Sequence, residues 1–281
     1  MISQREPLTK YLQESEISGL LGWSLPWIRA IAVLTAGIGI QSFYFAISKR
    51  FGAASAESLL WDSAKGSAYL TLAFYLFRFY QTGKRFVADC DENQLSEAMT
   101  YLSVSWISLG LALVITLASL FCDLGNGFFL NASFGQSPVE VLVLLVASIG
   151  VIPAVSLFAF RREAKLPYAG GAFLSHINPF AKKSLPRLRF LSVLAIAGGL
   201  LSGTFGLVDY SFDITGEGPG AMLTGIALFA LGCFLQWYRR SVRDIHRNGT
   251  PFFFERTLNR LNFVLLGACV VYGLLFIVGF L

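Results

Sequence analysis

Two stretches of the chain nearly repeat each other: SLPWIRAIAVLTAGIGIQS at residues 24–42 and SLPRLRFLSVLAIAGGLLS at residues 184–202. Each stretch places a proline and an arginine just before a long apolar run. When residue 24 is aligned with residue 184, the match continues through the run, where Gly39 falls on Gly199 and Ser42 on Ser202. The repetition predicts that the chain is built from a duplicated module.

The composition is that of a membrane protein. Of the 281 residues, 55% are hydrophobic and only 14% charged, and the mean hydropathy is +0.62. A soluble domain of this length needs more polar surface to cover its core, so we expect an all-α, polytopic transmembrane helical bundle. The net charge of +5 indicates basic cytoplasmic loops and no nucleic acid partner.

About seven apolar stretches are long enough, or nearly so, to cross a bilayer as helices. The second is the weakest, because Lys65 stands at its start and Arg78 near its end, although both side chains can reach the head-group layer. The predicted spans are 27–48, 62–81, 101–121, 139–160, 190–209, 221–238 and 263–281.

The basic residues predict the orientation. The segment 161–189 carries seven Lys or Arg, and a second basic segment follows the sixth span, whereas 122–138 and 209–220 have neither residue type. The positive-inside rule places the basic segments in the cytoplasm, with the N-terminus inside and the C-terminus outside a bacterial inner (plasma) membrane. The stretch 49–61, with Lys49 and Arg50, fits this orientation less well.

The predicted domain organisation has four parts. An amphipathic segment, 1–23, lies at the cytoplasmic interface, and a first repeat of four spans covers 24–160. A basic cytoplasmic linker, 161–189, leads to a second repeat of three spans, 190–281. Both repeats start from the same side of the membrane, so the interpretation is a parallel duplication about an axis along the membrane normal.

The repeated motif has residues with expected structural roles. The serine before each Leu-Pro is expected to cap a helix, with Pro26 and Pro186 in its first turn and Arg29 and Arg189 at phosphate level. A second echo, between 77–86 and 242–252, is expected to stop helices at its glycines and anchor connectors through its phenylalanines. It aligns Gly83 with Gly249 and Phe86 with Phe252.

The second echo also carries a family resemblance. VRDIHRNGTPFFFERTLNRLNFVLLG (242–267) resembles a segment of the DUF2975 family of small bacterial membrane proteins of unknown function, with a faint second copy at 77–102. Family members generally have four helices, so this chain is longer than the family pattern. The resemblance implies a bacterial inner membrane and transfers no active site.

No motif for catalysis or for a cofactor is recognisable. There are two histidines, and every charged residue falls at or near a predicted span end. We therefore expect no enzyme activity, no cofactor and no metal. One pattern predicts close helix packing, inside the bundle or at a homodimer seam: Ala195, Gly199 and Gly203, spaced by four.

Three functions remain open at this stage. The first is a non-enzymatic protein with a structural, sensory or regulatory role. Its expected partners are anionic head groups at the cytoplasmic segments, with a protein partner or a second copy of the chain left open. The alternative is a small-solute transporter or channel with a path between the halves, lined by residues such as Gln41, Ser105 and Ser202. The third is a lipid-modifying enzyme, with Arg78, Asp209 and Asp213 as its candidates.

Overall fold

The computed structural model describes residues 17–50, 56–126, 173–212, 218–248 and 251–278. These residues form six helices, which confirms the all-α class for the described part of the chain. The helices are α1 Ile17–Arg50, α2 Ala56–Asp89, α3 Glu92–Asn126, α4 Phe173–Phe212, α5 Gly218–Asn248 and α6 Pro251–Val278.

Four of these helices are long and apolar enough to cross a membrane: Ile17–Ser48 in α1, Asn93–Ala118 in α3, Phe180–Val208 in α4 and Pro219–Ile245 in α5. Helix α2, expected to be the weakest span, is not among the four. The predicted span at 139–160 lies outside the described residues, so the count of seven stays a prediction.

The six helices close into a ring. Each packs against the helix before it and the helix after it, and α6 returns to pack against α1. Helices α1 and α6 run in the same direction, because Asn262 Nδ2 donates to the Leu20 carbonyl at 3.4 Å and Cys269 Sγ to the Trp27 carbonyl at 3.5 Å, both pairs 242 residues apart.

Helices α3 and α4 are also parallel. A Cβ added at Gly110 would lie 3.3 Å from Leu191 Cδ2, and one at Gly198 would lie 2.6 Å from Leu117 Cδ2, so contacts advance in the same sense along both helices. At the other end of this seam, Arg187 Nη1 donates to the Ser103 carbonyl at 3.1 Å and to its hydroxyl at 2.6 Å.

A single apolar core fills the ring and takes side chains from all six helices. Phe79, Phe86 and Tyr238 are among its largest fully buried members. The Trp106 ring packs against Tyr238 with centroids 5.9 Å apart, which joins α3 to α5 across the interior.

The surface divides into an apolar belt and a charged end. The predicted spans leave large apolar side chains exposed, among them Val33, Ile40, Phe74, Val114, Val193, Leu200, Ile226 and Val270. The end that holds the α2–α3 and α5–α6 connections exposes Lys84, Arg85, Glu97, Lys182, Arg240, Arg243, Arg247 and Arg256. The belt suits lipid tails and the charged end suits water and head groups.

The helices extend well beyond the apolar belt. With 34 residues, α1 is about 51 Å long, whereas the hydrocarbon layer is about 30 Å thick. Residues 17–23 and 173–189 are therefore helical continuations of the spans, where the sequence predicted a separate interfacial segment and a linker loop. Ile17 and Leu21 are fully buried, so the core continues into this end of the bundle.

The two prolines lie inside helices, and the prediction of a first-turn position was wrong. Helix α1 begins at Ile17 and α4 at Phe173, so Pro26 and Pro186 both stand in exposed interior positions. Ser24 is no cap either: its hydroxyl donates back to the Leu20 carbonyl at 3.0 Å.

The predicted helix stop at Gly83 was also wrong. Helix α2 continues to Asp89, and the chain turns at Cys90, whose φ is 53°. The Asp91 carboxylate then accepts from the Asn93 amide at 3.1 Å and caps α3. Phe86, expected at the membrane interface, is fully buried in the core. Gly249 lies outside the described residues, and the side chain of Phe252, at the start of α6, is not described.

Two close helix crossings use glycine. In α1 and α2, a Cβ on Gly39 would lie 3.0 Å from the Gly66 carbonyl oxygen. In α4 and α5, a Cβ on Gly199 would lie 2.7 Å from the Gly225 carbonyl oxygen, and one on Gly225 would collide with the Gly203 backbone. The predicted packing stripe, in which Ala195 is also buried, therefore lies against α5 within the same chain.

We expect Gly199→Ala to destabilise the bundle, because the new methyl group would meet the Phe229 amide nitrogen at 2.5 Å and backbone cannot move aside cheaply. The expected loss is about 2 kcal/mol, measured by thermal unfolding of the purified protein in detergent. Gly203→Ala is the matched control, since nothing lies within 4 Å of its added Cβ. Equal melting temperatures for the two variants would contradict the crossing geometry.

Candidate functional site

The charged end of the bundle carries a cleft along α5, on the side of α5 that faces α4 at Ser192. It has a volume of about 400 Å³ and is lined by Gln236, Arg239, Arg240 and Arg243. These residues recur every three or four positions along the last turns of α5, so they share one side of that helix. The adjacent α4 contributes Arg189, whose charge acts on Arg239.

A polar contact between the two helices forms the base of the cleft. The Ser192 hydroxyl of α4 donates to Gln236 Oε1 at 3.1 Å, and Arg239 Nη1 donates to the same oxygen at 3.3 Å. The Gln236 oxygen therefore accepts from both helices and orients the Arg239 guanidinium. Arg239 Nε is buried and has no hydrogen-bond partner among the described residues.

The cluster is positively charged, and no acid among the described residues neutralises it. Arg189 and Arg243 are the charged neighbours of Arg239, and no described acidic side chain forms an ion pair with any of the three. Arginine is the side chain best suited to hold phosphate or carboxylate in a bidentate manner. The arrangement leaves guanidinium donors facing a space that an anion can fill.

The neighbouring arginine on α6 is already engaged. Arg260 donates to the Ser241 hydroxyl, and its guanidinium lies 4.9 Å from the centroid of the Trp237 ring. Burial lowers the pKa of Arg260, nearby Arg256 lowers it further, and Asp244 opposes the effect. Arg260 therefore joins α5 to α6, while the cleft donors come from Arg239 and its neighbours on α5 and α4.

The predicted motif residues are distributed over the two halves. Arg189 lies near Arg239, which lines the cleft, whereas Arg29 lies over the Tyr80 ring, 6.0 Å from its centroid. Both arginines were expected at phosphate level, and the cleft was not predicted. The usable signal was the spacing within QWYRRSVR, residues 236–243, which sets three arginines and a glutamine on one side of a helix.

Two of the residues expected to line a solute path, Ser105 and Ser202, donate hydrogen bonds to backbone carbonyls. The Ser105 hydroxyl donates to the Leu102 carbonyl at 2.7 Å, and the Ser202 hydroxyl donates across the α4–α5 crossing to the Ala221 carbonyl at 2.9 Å. Both serines are buried, and Gln41 is half-buried on α1.

The residues suggested for a lipid-modifying enzyme do not form a described site. Arg78 is exposed and lies over the Phe74 ring at 5.5 Å. Asp209 stands near the end of α4 with an undescribed side chain, and Asp213 lies outside the described residues.

No protein-family model, no curated protein and no solved structure matches the chain.

We expect Arg243→Gln to raise the melting temperature at low ionic strength, because it removes one of the like charges stacked one turn apart on α5. The gain should be about 1 °C and should disappear in about 0.5 M salt, where the repulsion is screened. Thermal unfolding in an uncharged detergent and a buffer free of multivalent anions measures it. Lys84→Gln, an exposed lysine at the end of α2, is the control; a drop in melting temperature for Arg243→Gln would contradict the uncompensated charge.

Proposed function

We propose that the chain is a non-enzymatic integral membrane protein with a structural, sensory or regulatory role, a duplicated helical bundle of the bacterial inner membrane. The observation that carries the proposal is that many hydroxyl groups within the described helices donate to their own backbone. They donate to the carbonyl three or four residues earlier, as do Ser24, Thr35, Thr71, Ser105, Thr116 and Thr257. Hydroxyls bonded in this way let helices pack closely, which supports a packed bundle over a reaction site or a permeation path.

The glycine crossings support the duplication. The sequence repeat aligns Gly39 with Gly199, and these two glycines approach Gly66 and Gly225. Four residues after Gly66 stands Leu70, and four after Gly225 stands Phe229; each contacts the glycine of the preceding helix. The helix contacts also correspond between the halves. The α1–α2 and α2–α3 contacts match α4–α5 and α5–α6, and the α3–α4 contact matches the contact of α6 with α1.

Matching exposure along α1 and α4 adds to this support. Val33 and Val193 are 64% and 60% exposed, and Ser24 and Ser184 are both fully buried. Aligning Gly66 of α2 with Gly225 of α5 also aligns the last residues of the two helices, Asp89 and Asn248. In this alignment Gly249 corresponds to Cys90, the residue in the left-handed conformation, and no longer to Gly83.

The parallel seam between α3 and α4 supports a seventh span. Because both helices run in the same direction, α3 ends at the opposite face of the bundle from the one where α4 begins. The chain between them must return across the bundle, and the apolar stretch 139–160 is long enough to do so. The bundle then has seven spans, with the N-terminus in the cytoplasm and the C-terminus outside.

Topology reporters test this arrangement. Green fluorescent protein fused after residue 165 or 245 should fluoresce, and alkaline phosphatase fused after residue 213 or 281 should be active, because basic segments stay in the cytoplasm. An active phosphatase fused after 165 or 245 would contradict the orientation. An inactive phosphatase after 281, with the other fusions as expected, would contradict the last predicted span, 263–281.

Cysteine accessibility tests the packed interior against the solute path. In a cysteine-free background, Ser105→Cys and Ser202→Cys should react with a charged maleimide far more slowly than Lys84→Cys, whose position is exposed, because both serines are buried. The ratio of labelling rates in intact membranes and in inverted vesicles is the readout. Labelling of either buried position at a rate near that of Lys84→Cys would favour the transporter.

A further inference from the structure

We propose that the arginine cleft on α5, beside Arg189 of α4, binds the phosphate of an anionic phospholipid head group, in the second half of the bundle only. The inference rests on the proposed membrane scaffold and goes beyond it, because it assigns one defined lipid position. Arg189, Arg239 and Arg243 supply the charge, and Gln236 holds the Arg239 guanidinium in place.

The site is built for an oxyanion. Arg239 Nη1 donates to Gln236 Oε1, and the buried Arg239 Nε has no hydrogen-bond partner among the described residues, so the Arg239 side chain that lines the cleft is held in one orientation. A volume of about 400 Å³ accommodates a phosphate with its glycerol. Guanidinium groups bind phosphate through paired hydrogen bonds, and two arginines one helical turn apart can hold one phosphate between them.

The surroundings favour a lipid over a soluble phosphate compound. One turn from Arg189 on α4 stands Val193, 60% exposed, and Leu200 continues the same side of the helix at 56%. On α5, the side that carries Arg240 continues into exposed Cys233 and Phe229. The cleft therefore opens at the ends of two apolar stripes, along which acyl chains can lie while the phosphate stays among the arginines.

The residues that line this cleft are not repeated at the equivalent described positions of the first half. In the register set by the glycine crossings, Tyr80 occupies the place of Arg239 and Phe77 the place of Gln236. Arg29, the counterpart of Arg189, lies over the Tyr80 ring. The aromatic side chain stabilises the lone arginine, so the first half needs no anion there.

Native mass spectrometry of the full-length protein in a neutral detergent tests the proposal, with dioleoyl phosphatidylglycerol as the ligand and dioleoyl phosphatidylcholine as the zwitterionic reference. We expect Arg239→Gln/Arg243→Gln to bind phosphatidylglycerol at least about tenfold more weakly than the wild type, since charge-assisted hydrogen bonds are lost. The matched variant Arg29→Gln/Lys84→Gln removes the same charge from the first half and should change binding by less than about twofold.

Equal losses in the two variants would mean that a diffuse basic surface attracts the lipid, and the site would be refuted. An unchanged affinity for Arg239→Gln/Arg243→Gln refutes it too. Displacement of bound lipid by an equal concentration of inorganic phosphate would reassign the cleft to soluble phosphate compounds. Arg239→Lys/Arg243→Lys, which keeps the charge, should bind with intermediate affinity and guards against misfolding. If the topology reporters contradict the proposed orientation while binding still prefers phosphatidylglycerol and still depends on Arg239 and Arg243, only the proposed membrane scaffold is contradicted.

Discussion

Close approach of backbones at the two glycine crossings is the constraint on which the bundle depends. In lipid, apolar side chains gain little by leaving the tails for one another, so helices associate through tight packing and hydrogen bonds. The crossings of Gly39 with Gly66 and of Gly199 with Gly225 bring helices near enough for both, and Ser202 adds a hydroxyl bond to the Ala221 carbonyl beside the second. Inside the ring, side chains make the contacts, as Trp106 and Tyr238 do between α3 and α5.

The apolar helices are long enough to cross the hydrocarbon layer of a membrane and to continue beyond it into water. The apolar belt is covered by residues such as Ile40 and Val193, whereas the same helices continue into a charged end that still has a buried core of Ile17, Leu21 and Phe86. A core on the aqueous side is stabilised by the hydrophobic effect, which the membrane part lacks. The bundle is thus held together by different forces at its two ends.

The proposed duplication explains how one half can acquire a ligand while the other remains structural. A tyrosine and an arginine at equivalent positions, Tyr80 and Arg239, change the partner of the arginine on the preceding helix. In the first half that arginine is satisfied by an aromatic face. In the second half it joins a cluster of arginines, the proposed anion site, which gives the proposed duplicated scaffold one asymmetric feature on the proposed cytoplasmic side.

The sequence by itself determined the all-α class, the apolar runs and the glycine pattern, because helix periodicity and hydropathy are local properties of the chain. The helix ends predicted from the sequence were wrong. Pro26 and Gly83 look like boundaries, yet burial of Ile17, Leu21 and Phe86 stabilises helix beyond them. Which helix faces meet depends on tertiary packing, which brings Gly199 against Gly225 and Arg189 close to the arginines of α5. A cleft made by two helices depends on their crossing angle and register, which no single stretch of sequence specifies.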